Sequence, residues 1–289
     1  MAEYVISTDS TADLPDSYVD KYNIVIQDLG FSFGDELYRG VSEMDHKTFY
    51  DRVRNGDVAK TNASIPGAVK ASFKEILDQG KDILHLAFSS GLSASYNVAT
   101  IVAEELAEEY PDRKIIVIDS LCAAPGQGLF VYLGCENQVK GMSLEDNAKY
   151  LEDIKLHVVH EFTVEDLKYL ARGGRISKSS AVIGNIINIK PVLRVDNEGH
   201  LVATAKVRGR KASLNKLVEN MGSHICDEYK NDIVFIGHGD CLEDAEYVAE
   251  RVKEQFGVDK FMINFLSPTI GAHAGPGTVA LFFLGRERE

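Results

Sequence analysis

Short β-branched runs alternate with amphipathic helical segments through the first half of the chain. No other feature restricts the fold as much. Tyr4–Thr8, Ile24–Asp28, Asp82–Phe88 and Lys114–Asp119 read as strands. Leu14–Tyr22, Asp45–Asn55, Pro66–Gln79 and Ser93–Tyr110 carry helical periodicity between them. Strands separated by helices of this length form βαβ units and a mainly parallel sheet. Pro66 suits the first turn of a helix and Gly80 its end, while Ser143-Leu-Glu-Asp146 reads as a capping box opening another helix.

The second half has a different grammar. His157–Thr163 is a strand, Thr163-Val-Glu-Asp166 a second capping box before a short helix through Leu170, and Gly173-Gly174 a break. Ser179–Ile189 mixes small, apolar and polar residues. Val192–Val195 and Leu201–Val207 flank Asp196-Asn-Glu-Gly199, whose residues suit a hairpin turn. Lys211–Tyr229 reads as helix; Asp232–Gly237, Glu243–Gln255, Lys260–Phe265 and Thr278–Leu284 follow as strand, helix, strand, strand. The expected architecture is α/β: an N-terminal Rossmann-like parallel-sheet domain over 1–155 and a C-terminal α/β two-layer sandwich over 156–289. No Gly/Ser/Pro linker marks the boundary, so the two should pack closely.

Charge narrows the partners. The 289 residues carry a net charge of −13, which opposes nucleic acid and anionic membrane. No stretch approaches the ~18–20 apolar residues of a membrane span. The amino terminus has no basic segment ahead of an apolar one, which points to a cytoplasmic protein. Residues 168–216 depart from the rest: eleven Lys and Arg stand against Asp196 and Glu198, a net +9 that leaves −22 elsewhere. This block is either a solvated face or a docking surface for an anion or an acidic protein. The four cysteines, Cys122, Cys135, Cys226 and Cys241, form no C-x-x-C pair and read as simple thiols.

Polar residues gather where parallel strands end, which is where open α/β sheets bind ligands. Asp9-Ser10-Thr11, Ser89–Ser93 and Asp119-Ser120 are the three such loops. Ser93 opens a helix, either as its N-cap or as a donor to a bound anion. Gly91-Leu-Ser93-Ala-Ser95 lacks the second glycine of a nucleophile elbow. There is no phosphate loop, and Gly126-Gln-Gly128 lacks the third glycine of a dinucleotide fingerprint, so it reads as helix–strand packing. His157-Val-Val-His160 lies on a strand, where positions three apart face opposite sides and cannot share an ion. No metal and no cofactor is implied. His273 sits in Ile270-Gly-Ala-His-Ala-Gly-Pro-Gly277, where glycines permit close approach to a ligand carboxylate. In Thr61-Asn-Ala-Ser-Ile-Pro66, Ser64 is a capping candidate and Thr61 can face the crevice.

Taken together, Asp9-Ser-Thr-Ala-Asp-Leu-Pro15, Ser90-Gly-Leu-Ser-Ala-Ser-Tyr96, Ile118-Asp-Ser120, Gly173-Gly-Arg-Ile-Ser177 and His273-Ala-Gly-Pro-Gly277 resemble the DegV family of bacterial fatty-acid-binding proteins. The resemblance runs over nearly the whole chain. It implies a long-chain fatty acid in an apolar tunnel, its carboxylate held near the domain junction by Thr61, Ser93 and His273. Some family members hand that carboxylate to a separate ATP-dependent fatty acid kinase subunit and keep the acyl phosphate. Arg172, Arg175 and Arg208 match the basic positions that face the partner or the phosphate. The resemblance thus implies a lipid-binding protein rather than an enzyme. The alternative is a small-molecule kinase-like or hydrolytic enzyme using Ser93 and His273. One departure stands out: the family's Thr-Ser-Gln-Pro-Ser run is here Thr61-Asn-Ala-Ser-Ile65, with Asn62 in place of a hydroxyl.

The energetics suit such a ligand. Burial is worth ~0.8 kcal/mol per methylene, so a tail of about sixteen carbons offers on the order of 12 kcal/mol before ordering costs. A carboxylate at the tunnel end needs donors to offset its lost hydration.

Overall fold

The computed structural model describes residues 3–176 and 188–288. Most of the Ser179–Ile189 segment, Lys178 of the basic block and Ser177 of the Gly173–Ser177 motif lie outside the described residues. The first half runs β1 (Tyr4–Asp9), α1 (Asp16–Tyr22), β2 (Val25–Gln27), β3 (Phe31–Phe33), β4 (Glu36–Tyr38), α2 (His46–Arg54), β5 (Ala59–Thr61), α3 (Pro66–Leu77), β6 (Asp82–Ala87), α4 (Ser95–Glu109), β7 (Ile115–Asp119), α5 (Pro125–Val139) and α6 (Leu144–Ile154). The second half runs β8 (Val158–Thr163), α7 (Lys168–Arg172), β9 (Ile189–Val195), β10 (Leu201–Arg208), α8 (Arg210–His224), β11 (Val234–His238), α9 (Leu242–Phe256), β12 (Phe261–Phe265), α10 (Pro268–Ala274) and β13 (Val279–Leu284).

The expected parallel sheet is present, in the order β2-β1-β6-β7, and every pairing is parallel. Both faces are covered, as parallel sheets require. Ile83 of β6 joins the apolar cluster of α3 and α4, whereas Leu84 and Leu86 join the cluster containing α5 and α6. The period-2 alternation of a strand thus feeds two separate layers. Ser143 caps α6 as expected, accepting the Asp146 N–H at 3.1 Å.

The second sheet has six strands in the order β10-β9-β8-β13-β11-β12, antiparallel except for β11–β12. Along β13, Val279, Leu281 and Phe283 pack on α8 and α9, while Ala280, Phe282 and Leu284 join the cluster containing α5. The β9–β10 hairpin turns at Asp196–Gly199, closed by the Gly199 N–H on Asp196 O at 3.1 Å. Gly126 of α5 is a packing glycine: a β-carbon there would lie 2.2 Å from the His160 ring on β8.

Four readings of the sequence change. Thr163 caps nothing: it ends β8 and its hydroxyl donates to Pro191 O at 2.7 Å, while α7 begins only at Lys168. Helix α8 stops at His224 rather than Tyr229. A third sheet, β4-β3-β5, was not expected. Its apolar cluster joins Phe31, Phe33 and Phe49 to Tyr169 and Ala272 of the second half. His273 lies on helix α10 rather than on a glycine-rich loop.

Candidate functional site

The three strand-end loops converge and are tied to one another. The Phe88 N–H donates to Asp9 Oδ2 at 2.7 Å and the Ser90 N–H to Asp119 Oδ1 at 3.1 Å. The Ser89 hydroxyl donates to Gly199 O at 2.9 Å, which fastens the loop after β6 to the hairpin turn of the other sheet. The loop after β6 borders a cavity of about 260 Å³. Most of its lining is apolar, including Phe88 and Leu92 from the first half and Phe162, Leu201 and Phe282 from the second. A modest volume with walls drawn from both halves of the chain suits a slender apolar ligand better than a bulky polar one.

Thr61, Ser93 and His273 all line this cavity. Thr61 is the last residue of β5, Ser93 lies just before α4, and His273 is in the last turn of α10. Thr61 Oγ1 and His273 Nε2 are 2.8 Å apart. Burial pushes the His273 imidazole down to about 4, and the guanidiniums of Arg175 and Arg172 add to this. The ring is therefore neutral at physiological pH. Its Nδ1 is buried without a partner among the described residues. Ser93 is not the N-cap of α4, which starts at Ser95 with Ala94 in the cap position. Ser93 Oγ instead accepts the Ser95 N–H at 3.2 Å and lies 3.0 Å from Ser95 Oγ. Ser64 does not cap α3 either: its hydroxyl donates to Asp9 Oδ1 at 3.3 Å.

The arginines divide. Arg175 lines the cavity, donating from Nε to Leu92 O at 3.1 Å and from Nη1 to Gly173 O at 2.5 Å. Burial lowers its pKa. Arg172 is exposed and lies over the Tyr169 ring at 5.3 Å. Arg208 ends β10, opposite Ile189, and does not line the cavity. Asn62, the departure noted above, does line it. Among the described residues no group of three or more His, Cys, Asp or Glu is placed to hold a metal, and no helix is long and apolar enough to cross a membrane.

The family model described as "Uncharacterised protein, DegV family" matches residues 3–286. The chain belongs to the DegV family. A DegV domain-containing protein of Clostridium perfringens is 40% identical over 100% of both chains, and one of Lactococcus lactis is 35% identical over 98% of each. A DegV family protein of Thermus thermophilus, described by its fatty acid binding, superposes with a TM-score of 0.87 at 25% identity, covering 99% of this chain and 100% of its own. A stearic-acid-binding protein of Eubacterium ventriosum superposes at 0.89 with 26% identity and 98% coverage of both chains. A DegV lipid-binding protein of Thermotoga maritima superposes at 0.86 with 27% identity, covering 99% of this chain and 100% of its own.

Sequence reasoning did not single out the polar cluster behind Ser93 in this DegV chain. Asp9, Ser64 and Ser95 are all buried there. Burial pushes the Asp9 carboxyl up to about 6, against hydrogen bonds from the Phe88 N–H, Ser64 and Gln127. The available signal was Asp9 itself, an acid closing an apolar strand.

Proposed function

We propose that this chain binds a long-chain fatty acid, with the tail in the apolar cavity and the carboxylate at Thr61, Ser93 and His273. One observation carries the reading: two hydroxyls and a neutral histidine from three separate elements border a single apolar cavity. Donors on the wall of an apolar space suit an amphiphile with an anionic head. The descriptions of the solved relatives as fatty-acid- or lipid-binding proteins support it. In this reading 1–155 and 156–289 are two lobes, and the ligand lies where they meet.

The finer part of the proposal is that the protein is a cytoplasmic carrier rather than an enzyme, presenting the carboxylate to an ATP-dependent kinase subunit that forms the acyl phosphate. Arg172 and Arg208 face that partner, and Arg175 stands at the carboxylate. The hydrolytic alternative lacks its pairing among the described residues: Ser93 is engaged with Ser95, His273 with Thr61, and His273 Nδ1 has no carboxylate to orient it.

Native mass spectrometry of the protein purified from a bacterial host, followed by denaturing release, tests the binding claim. One equivalent of a long-chain fatty acid is expected. Protein that is empty and takes up no added fatty acid overturns it. Ester hydrolysis abolished by Ser93→Ala would favour the enzyme instead.

A further inference from the structure

Strand β13 runs away from the proposed head-group end, and its register marks out the depth of the cavity. Thr278, just before the strand, donates its hydroxyl to Ala274 O at 2.9 Å, beside His273. Thr278, Ala280 and Phe282 line the cavity in turn, whereas Leu284, the next residue on that face, does not. Strand residues rise about 3.3 Å each, so this wall is roughly 13 Å long and Phe282 stands at its far end. Across the sheet, Phe162 of β8 lies opposite Ala280, and His160 lies opposite Phe282. Ala280 is thus a small residue set among rings.

The far end of this wall is closed and apolar. The His160 and Phe282 rings meet edge to face, with centroids 5.1 Å apart and planes at 89°. Helix α5 packs behind them: a β-carbon on Gly126 would run into both rings, so neither has room to retreat. His160 has no polar atom to spare. Its Nε2 accepts the Ala123 N–H at 3.0 Å, so the hydrogen of the neutral ring is on Nδ1 and is donated to Val158 O at 2.8 Å. Burial holds the ring neutral by pushing its pKa well below the ordinary value. The pair therefore presents carbon to the cavity, although one member is a histidine.

We propose that β13 is the length gauge of the cavity: Ala280 is the aperture that admits a tail past Phe162, and the Phe282–His160 pair is the floor on which its methyl end stops. The inference rests on the fatty-acid reading and adds to it what limits the tail. Shorter acids leave the floor bare and forgo burial. Acids with a polar group at the far end bring it to a place without a partner. The gauge selects a long tail with an unsubstituted methyl end over both.

The test is displacement of a fluorescent fatty acid from the delipidated full chain by decanoate, myristate, palmitate, stearate and ω-hydroxypalmitate. Each buried methylene is worth about fourfold in affinity, so wild-type affinity should climb along the series until the tail reaches Phe282. The ω-hydroxy acid should bind about tenfold more weakly than palmitate. Ala280→Leu adds an isopropyl group at the aperture and takes the space of about three methylenes, so palmitate should lose about fiftyfold and decanoate little. Phe282→Leu lowers the floor and should raise the preference for stearate over myristate by about tenfold. Ala280→Val should act as Ala280→Leu does, by less, and carries the test if the leucine variant does not fold. General destabilisation lowers every acid by one factor and cannot shift the length profile in opposite directions at the two positions. A wild-type length profile in the Ala280 and Phe282 variants overturns the gauge and leaves fatty acid binding standing, as does an ω-hydroxy acid that binds as tightly as palmitate. A wild-type protein that binds none of the acids overturns the fatty-acid reading itself.

Discussion

Gly173 lies against His273 so closely that a β-carbon on it would sit 2.0 Å from Nδ1. Only a residue without a side chain leaves room for the imidazole in its present place. Gly173 has φ −73°, so no unusual backbone angle demands glycine there. Gly173→Ala should therefore act through displacement of the ring. We expect fatty acid affinity to fall about tenfold, the scale of a lost hydrogen bond to a charged group. His273→Ala should show a similar loss, and the double variant should lose little more. Full additivity of the two losses would show that Gly173 does not work through His273.

Asp13 gives the protein a stability that depends on pH. Its Oδ1 accepts the Ser267 N–H at the start of α10, and its Oδ2 is buried without a partner among the described residues. Burial pushes the carboxyl up from 3.8 to about 8, against the hydrogen bonds from Ser267. The folded value lies above the unfolded one, so the stabilising contribution of the protonated form is complete below pH 3.8 and is lost as pH rises through about 8. Asn keeps an acceptor for Ser267, cannot ionise, and tolerates the left-handed backbone at φ 49°. Thermal unfolding of the wild type and Asp13→Asn should give similar midpoints near the acid end, with the wild type falling progressively behind towards pH 8. Parallel curves across that window would exclude this role for Asp13.

The two arginines that act on His273 should separate in function. Arg172 is exposed, whereas Arg175 lines the cavity. If the proposed kinase subunit is the partner, Arg172→Ala is expected to slow turnover with it by about tenfold or more while changing lipid affinity little. Arg175→Ala should weaken both. Measuring lipid affinity and phosphoryl transfer side by side decides the matter; an Arg172→Ala protein that loses both equally has lost more than docking.

What the sequence made legible follows from element length and from where polar residues stand. β6 and β7 are each at least five residues long, with helices of twelve and fifteen residues around them, so their period survives as a pattern. β3, β4 and β5 have three residues each, too short to show alternation. They are specified by tertiary contacts, with Phe31 and Phe33 packing on Phe49 of α2. Helix α10 was hidden because it is buried along most of its length and has no polar stripe. Ser267 and Pro268 were its legible start, an N-cap followed by proline in the first turn. Thr61 and Ser93 could be picked out as polar residues beside a helix start, and His273 as the polar residue of a glycine-rich run. The cluster behind them could not, because the contact between Ser64 and Asp9 spans 55 positions and leaves no local pattern.

The hydrogen bond between Thr61 and His273 joins residues 212 positions apart. A chain leaving the ribosome has made Thr61 and Ser93 long before it makes α10, and N-terminal segments begin folding during synthesis. Until that last helix arrives, Thr61 lacks the ring that orients it. On the proposed reading, head-group recognition is thus a property of the finished polypeptide: a nascent or truncated copy buries apolar surface but has no complete means of telling one end of its ligand from another.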